Sequence, residues 1–202
     1  MNDASRLDRS DRIGMYMSIG MVLVGAALAI AAAVRRLIEI APGTDVAVTV
    51  PLSGESAQLP LGPDGAAVLA TVDTATVVVP DPAPATLFAL WAQPIWDAAL
   101  ICALLMLVAL FFLRLARGLA FAPHAGRLPY AAAAVVTVGW LGSGILTNMT
   151  TNGALSAISD YTYDSAIFEV SLAPVLALMV LAAMGAALQA GERLQRDTDG
   201  LV

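Results

Sequence analysis

Two carboxylates interrupt the apolar stretches of this chain, Asp97 and Glu169. An ionisable group inside a membrane-spanning helix is costly and marks a proton, ion or ligand path by default. Spacing argues for a milder role. Asp97 lies 17 residues before Arg114, about 25 Å along a helix axis. With Arg114 at one membrane surface, Asp97 falls near the other, beside Trp91 and Trp96, whose rings favour the interface. Glu169 stands just ahead of Pro174, in the first turn of a helix, where an acid complements the dipole. Both are therefore expected as membrane acids near the ends of their spans, with a proton or cation role as the sharper alternative for Asp97. Asp160 and Asp164 flank Tyr161 and Tyr163, but calcium wants six or more oxygens and no EF-hand pattern supplies them.

Other chemistry is sparse. His124 is the one histidine and Cys102 the one cysteine, so neither a structural zinc site nor an intrachain disulfide is expected. The chain contains no phosphate-binding loop, no dinucleotide fingerprint, no zinc-protease motif and no nucleophile elbow. No catalytic residue, cofactor or metal is expected. A net charge of −6 argues against nucleic acid as a partner, because phosphate binding needs a basic patch.

The elements that would carry these residues follow from composition. Of 202 residues, 59% are apolar and 13% charged, with a mean hydropathy of +0.80. Soluble domains run at about 45–50% and about 25%. A membrane protein is the expected class, and disorder is excluded by the same apolar excess. Crossing the hydrocarbon core takes about 20 apolar residues. Four stretches qualify: 14–34, 95–113, 129–147 and 170–190. The first is too long for the apolar core of a signal peptide, although Ala31–Ala33 resembles a cleavage site, so an anchor is expected. Small residues four apart, Gly25, Ala29 and Ala33 in the first span and Gly139 and Ser143 in the third, let helix backbones approach closely.

Arginine sets the orientation, since all ten basic residues are Arg. Arg6, Arg9, Arg12, Arg114, Arg117, Arg127, Arg193 and Arg196 fall on one side, and only Arg35 and Arg36 on the other. Positive residues stay inside, which places both termini in the cytoplasm of a multi-pass plasma-membrane protein. The expected fold is an all-α membrane protein: a four-helix transmembrane bundle with a small extracytoplasmic strand-containing cap between helices 1 and 2. Its segments are a tail over 1–12, helix 1 over 13–36, the cap over 37–94, helix 2 over 95–116, a cytoplasmic Arg-rich loop over 117–128, helix 3 over 129–147, an outer loop over 148–166, helix 4 over 167–190 and a tail over 191–202. Within the cap, Val46–Leu52 and Ala67–Val79 read as strands, rich in Val and Thr and partly alternating. The intervening SGESAQLPLGPDG reads as turn. About fifty residues cannot bury much core alone, so the cap is expected to rest on the helix ends.

The inner face carries two denser motifs. Gly118 can end helix 2 in a left-handed cap and Pro129 can start helix 3. Arg114, Arg117 and Arg127 suit anionic headgroups, making membrane lipid an expected partner, at about 1 kcal/mol each. Glu192 and Arg196 are spaced for a helical ion pair, as are Arg35 and Glu39. The arginine loop and the acids Glu192, Asp197 and Asp199 could also close as a clasp. The loop stretch Gly118, Phe121, Pro123, Arg127 and Leu128, together with Gly191, Leu194 and Asp197 in the tail, resembles the bacterial membrane proteins of the domain of unknown function 2975 family (DUF2975). Members of that family look like four-span proteins with a Gly-x-x-Phe-x-Pro loop and a Gly-x-x-Leu-x-x-Asp end. This chain departs from the family in carrying Ala125-Gly126 before the arginine. The resemblance implies no biochemical activity. Together with Arg114 and Arg117 of the headgroup argument, the matched residues Gly118, Phe121, Pro123, Arg127, Gly191, Leu194 and Asp197 form a candidate cytoplasmic interaction motif. The expected function is non-enzymatic: a regulatory, sensory or assembly partner engaging a protein or a second copy. The alternative is a transporter or channel subunit whose homo-oligomer would line a path with Thr137, Ser143 and the glycines of the spans.

Overall fold

A computed structural model describes residues 9–119, 126–162 and 172–199. The elements in chain order are α1 (Arg9–Ile40), β1 (Val46–Leu59), β2 (Val68–Val79), α2 (Pro84–Ala116), α3 (Arg127–Ile158) and α4 (Ala173–Asp199), with a single 3-10 turn at Pro63–Gly65. All four α-helices are long and apolar enough to cross a bilayer, over Arg12–Ile40, Pro84–Ala116, Arg127–Ile158 and Ala173–Leu194. In each, no more than 6% of the most apolar window is buried. Side chains such as Met21, Leu28, Met179 and Val180 are exposed. Apolar surface this extensive is stable against lipid, not water, which fits a multi-pass membrane protein.

The described residues divide into two compact units, one of 9–34, 95–119, 126–142 and 172–199, the other of 35–94 and 143–162. The first consists of helix alone. Its helices meet where a side chain is missing. Gly25 faces Leu105, Gly139 faces Leu100, and Gly142 lies under the ring of Trp96. The predicted small-residue contacts at Gly25 and Gly139 are thus contacts with α2. The α2 helix ends as its sequence predicts. Gly118 takes φ +72°, its amide donates to the Leu115 carbonyl at 2.9 Å, and the Leu119 amide donates back to the Arg114 carbonyl at 2.9 Å. These bonds satisfy carbonyls that the helix terminus would leave unpaired. Pro129, in the first turn of α3, is fully buried.

The second unit holds the core. β1 and β2 pair antiparallel, Val46 opposite Val79 and Leu59 opposite Val68, with a register shift between Pro51 and Glu55. Val46, Val48 and Val50 are buried while Ala47 and Thr49 are exposed, the alternation of a sheet with one covered face. The cover is helical: Ile40 of α1, Leu90 of α2, and Ala154 and Leu155 of α3 join Val46, Val48, Val50 and Val79 in one cluster. The expectation that the cap rests on helix ends holds in this form. Gly54 takes φ +83° within the register shift, and the turn is closed by Pro63-Asp64-Gly65, with Asp64 and Gly65 both left-handed, as that residue order favours.

Several boundaries differ from the sequence reading. Residues 53–59, read as turn, continue β1, because the bulge lets the strand resume pairing after Pro51. Residues 84–94, assigned to the cap, are the first three turns of α2. Pro84 sits at the first helical position, where a missing amide costs nothing, and Pro94 is accommodated within the helix. Residues 148–158, assigned to an outer loop, are the end of α3. Thr150 Oγ1 donates to the Thr147 carbonyl at 2.9 Å, and Thr147 Oγ1, just before the segment, accepts from Gln93 Nε2 of α2 at 3.1 Å. Gly153 lets this segment lie against Thr86. Residues 191–199, read as tail, continue α4, with the expected Arg196–Glu192 pair at 3.1 Å.

Candidate functional site

Four charged residues, Arg127, Glu192, Arg193 and Arg196, gather where α3 begins and α4 ends. Gly126 precedes the first turn of α3 and packs so closely on α4 that a Cβ there would lie 2.7 Å from Gln189 Cγ and 3.2 Å from the Gly185 carbonyl. Tyr130, one turn on, lays its ring over Gly185, where a Cβ would meet it at 3.0 Å. The two glycines thus leave room for the Gln189 side chain and the Tyr130 ring, so that α3 and α4 pack closely. From this junction Arg127 projects beside α4, whose residues Gln189, Glu192, Arg193 and Arg196 share its wall. Their spacing of three, four and seven residues puts them on one helix face.

Together with Gly126, these side chains line an open polar cavity of about 230 Å³. Three guanidinium groups oppose the single carboxylate of Glu192, leaving two net positive charges. Glu192 is held against its helix, with only 18% of its side chain exposed, and Arg196 Nη2 donates to its Oε1 at 3.1 Å. Among the described residues, neither Arg127 nor Arg193 forms an ion pair. The amides of the first turn of α3 add the positive end of a helix dipole to the same place. Such a cavity can accept a phosphate or carboxylate through forked, charge-assisted hydrogen bonds.

A second cavity, apolar and of about 110 Å³, lies in the same unit. Leu107 and Phe111 of α2, Pro129 and Ala132 of α3, and Leu181 and Met184 of α4 are among its walls.

The sequence-predicted residues are only partly gathered here. Arg127 lines the polar cavity. Arg114 is half-buried in the last turn of α2, and Arg117 is exposed beside the Gly118 cap; neither is in the cavity wall. Phe121 and Pro123, like His124, fall outside the described residues. Gly191, Leu194 and Asp197 lie on the last turns of α4, with Leu194 and Asp197 exposed; Gly191 and Leu194 fall between the lining residues and Asp197 just after them, and none is among them. Asp97 is half-buried in α2 and belongs to neither cavity. Glu169 falls outside the described residues. The sequence reading missed Gln189 and Arg193 as site residues. Their spacing with Glu192 and Arg196 was the available signal, and it is informative only once residues 191–199 are known to be helical. Among the described residues, no group of three or more His, Cys, Asp or Glu is placed to hold a metal ion. Compared with family models, curated proteins and solved structures, the chain matches none.

Proposed function

We propose that this chain is a non-enzymatic, four-span protein of the plasma membrane, with both termini in the cytoplasm and the hairpin beyond the bilayer. In this reading it acts as a regulatory, sensory or assembly partner, receiving at the hairpin and responding through the arginine-bearing face. The observation that supports it best is the packing of the hairpin. Two strands alone are marginally stable in water. Here Val46, Val48, Val50 and Val79 are fixed by residues of α1, α2 and α3, so a change at the hairpin acts directly on three helices. Beyond the bulge, Leu61, Val68 and Leu69 are left exposed, apolar surface of the kind that recognition uses. Eight arginines against two favour the proposed orientation. Arg127, from one of the two stretches that resemble DUF2975 proteins, lines the arginine cavity, and Gly191, from the other, lies between the lining residues Gln189 and Glu192, which is consistent with a working inner face.

A transporter or channel built as a homo-oligomer has less support. The Thr137 hydroxyl, one of the groups it would use, donates to the Ala133 carbonyl of its own helix at 2.9 Å. Photo-crosslinking from Leu69 in native membranes tests the proposal. The expected result is one stoichiometric protein adduct that disappears when the neighbouring exposed residues Leu61 and Val68 are replaced by Asp while the probe stays at position 69. No adduct, together with solute flux in liposomes containing only this chain, overturns it.

A further inference from the structure

We propose that the arginine cavity and the apolar cavity together form one binding site for an anionic glycerophospholipid, with the phosphate among the arginines and an acyl chain in the apolar crevice. The proposal rests on reading the four helices as membrane spans. Both cavities use the same two helices in the same order. Along α3, Arg127 lines the polar cavity, and Pro129 and Ala132 line the apolar one. Along α4, Leu181 and Met184 line the apolar cavity, and Gln189, Glu192, Arg193 and Arg196 the polar one. The step from Met184 to Gln189 is five residues, about 7.5 Å of helix. Along the axis of α4 the lining passes from hydrocarbon to guanidinium within that rise, while the helix turns by about 140° between Met184 and Gln189.

Charge chooses the lipid. Three arginines against the one carboxylate of Glu192 favour a ligand with net negative charge. A choline lipid would bring its own cation toward Arg127 and Arg193. A free phosphate would satisfy the arginines but leave the crevice of Leu107, Phe111 and Met184 unused. An anionic diacyl lipid uses both. The glycine junction at Gly126 and Gly185 holds the walls in place before the ligand arrives, which limits the ordering cost of binding.

The test uses the delipidated full-length protein in detergent, titrated with dioleoylphosphatidylglycerol, dioleoylphosphatidylcholine or inorganic phosphate, with retained lipid read by native mass spectrometry. One phosphatidylglycerol per chain is expected, with phosphatidylcholine held at least about tenfold more weakly, since at least one favourable charge contact is lost and one repulsion gained. The double variant Arg127→Gln/Arg193→Gln changes two exposed side chains and leaves the fold intact. It should weaken phosphatidylglycerol about 25-fold, about fivefold for each arginine, and flatten the salt dependence. Ala132→Phe, which fills the crevice, should weaken phosphatidylglycerol without changing that salt dependence. Equal retention of the two lipids, or unchanged retention by the double variant, overturns the proposal. Displacement of the lipid by an equal concentration of inorganic phosphate assigns the cavity to free phosphate and overturns the lipid assignment. A chain that stays soluble without detergent overturns the membrane reading instead, and the site with it.

Discussion

Replacing Gly142 by Ala should open the contact between α2 and α3. An alanine Cβ at that position would lie 2.5 Å from Trp96 Cε2 and 2.7 Å from Nε1, where carbon atoms prefer about 3.5–4.0 Å. The indole is rigid and its Nε1 points at the Gly139 carbonyl, 3.5 Å away, so relief requires the ring or the helix to move by about 1 Å. Overpacking of this kind costs about 1–3 kcal/mol. Gly144 supplies the internal control, because a Cβ there meets nothing within 4 Å. Both changes gain the same helix propensity, about 1 kcal/mol in water, and whatever its value in lipid it cancels in the comparison. Gly142→Ala should therefore be about 2 kcal/mol less stable than Gly144→Ala. For a chain of this size that separates the thermal midpoints by about 4–8 °C, measured by circular dichroism at 222 nm in one detergent or nanodisc. Trp96→Phe removes the crowded atoms, so the penalty should shrink in that background, giving a coupling of about 1 kcal/mol or more in a double-mutant cycle. Equal midpoints for the two alanine variants, or no coupling to residue 96, would refute this helix contact.

Three further outcomes follow from the same geometry. Ile40→Ala, at a fully buried position beneath the hairpin, should cost about 2–5 kcal/mol and speed amide exchange in β1, whereas Val78→Ala on the exposed face should stay within about 0.5 kcal/mol. Gly118→Ala places a Cβ at φ +72° and should destabilise by about 1–2 kcal/mol, with Gly118→Asn milder; chemical denaturation of both variants measures this. Arg36 Nη2 donates to the Ala47 carbonyl at 2.6 Å and Nη1 to Glu39 at 3.0 Å, with 32% of its side chain exposed, while Arg35 reaches Glu39 only at 3.9 Å and is 82% exposed. Arg36→Ala should therefore lower hairpin stability by about 1 kcal/mol, less in high salt, and Arg35→Ala by almost nothing; protease sensitivity near β1 reports both.

What could be read in advance divides along physical lines. The four apolar helices were legible because lipid demands long uncharged stretches whatever their packing. The first half of β1 was legible because Val46, Val48 and Val50 alternate with residues that face water, and nearly all of β2 because of its run of Val and Thr. The Gly118 cap and the Glu192–Arg196 pair follow from short-range geometry. The extensions were not legible. Residues 148–158 carry Asn, Thr and Ser, which disfavour helix interiors locally, and they are helical because Thr150, Thr151, Ala154 and Leu155 are buried against neighbours distant in sequence. Pro94 looks like a breaker, yet α2 continues through it. The arginine cavity was half visible. Arg127 stood out in a loop motif, but Arg193 joins it only because α4 runs on to Asp199.

The central claim is that the chain crosses the membrane four times, with the hairpin on one side and both ends on the other. Single cysteines at Asp3, Asp64 and Gly200, each introduced into a Cys102→Ala background, test it with a membrane-impermeant maleimide on intact cells. The account predicts labelling at position 64 before lysis and at positions 3 and 200 only after it. Labelling of 3 or 200 in intact cells while 64 is spared would contradict it.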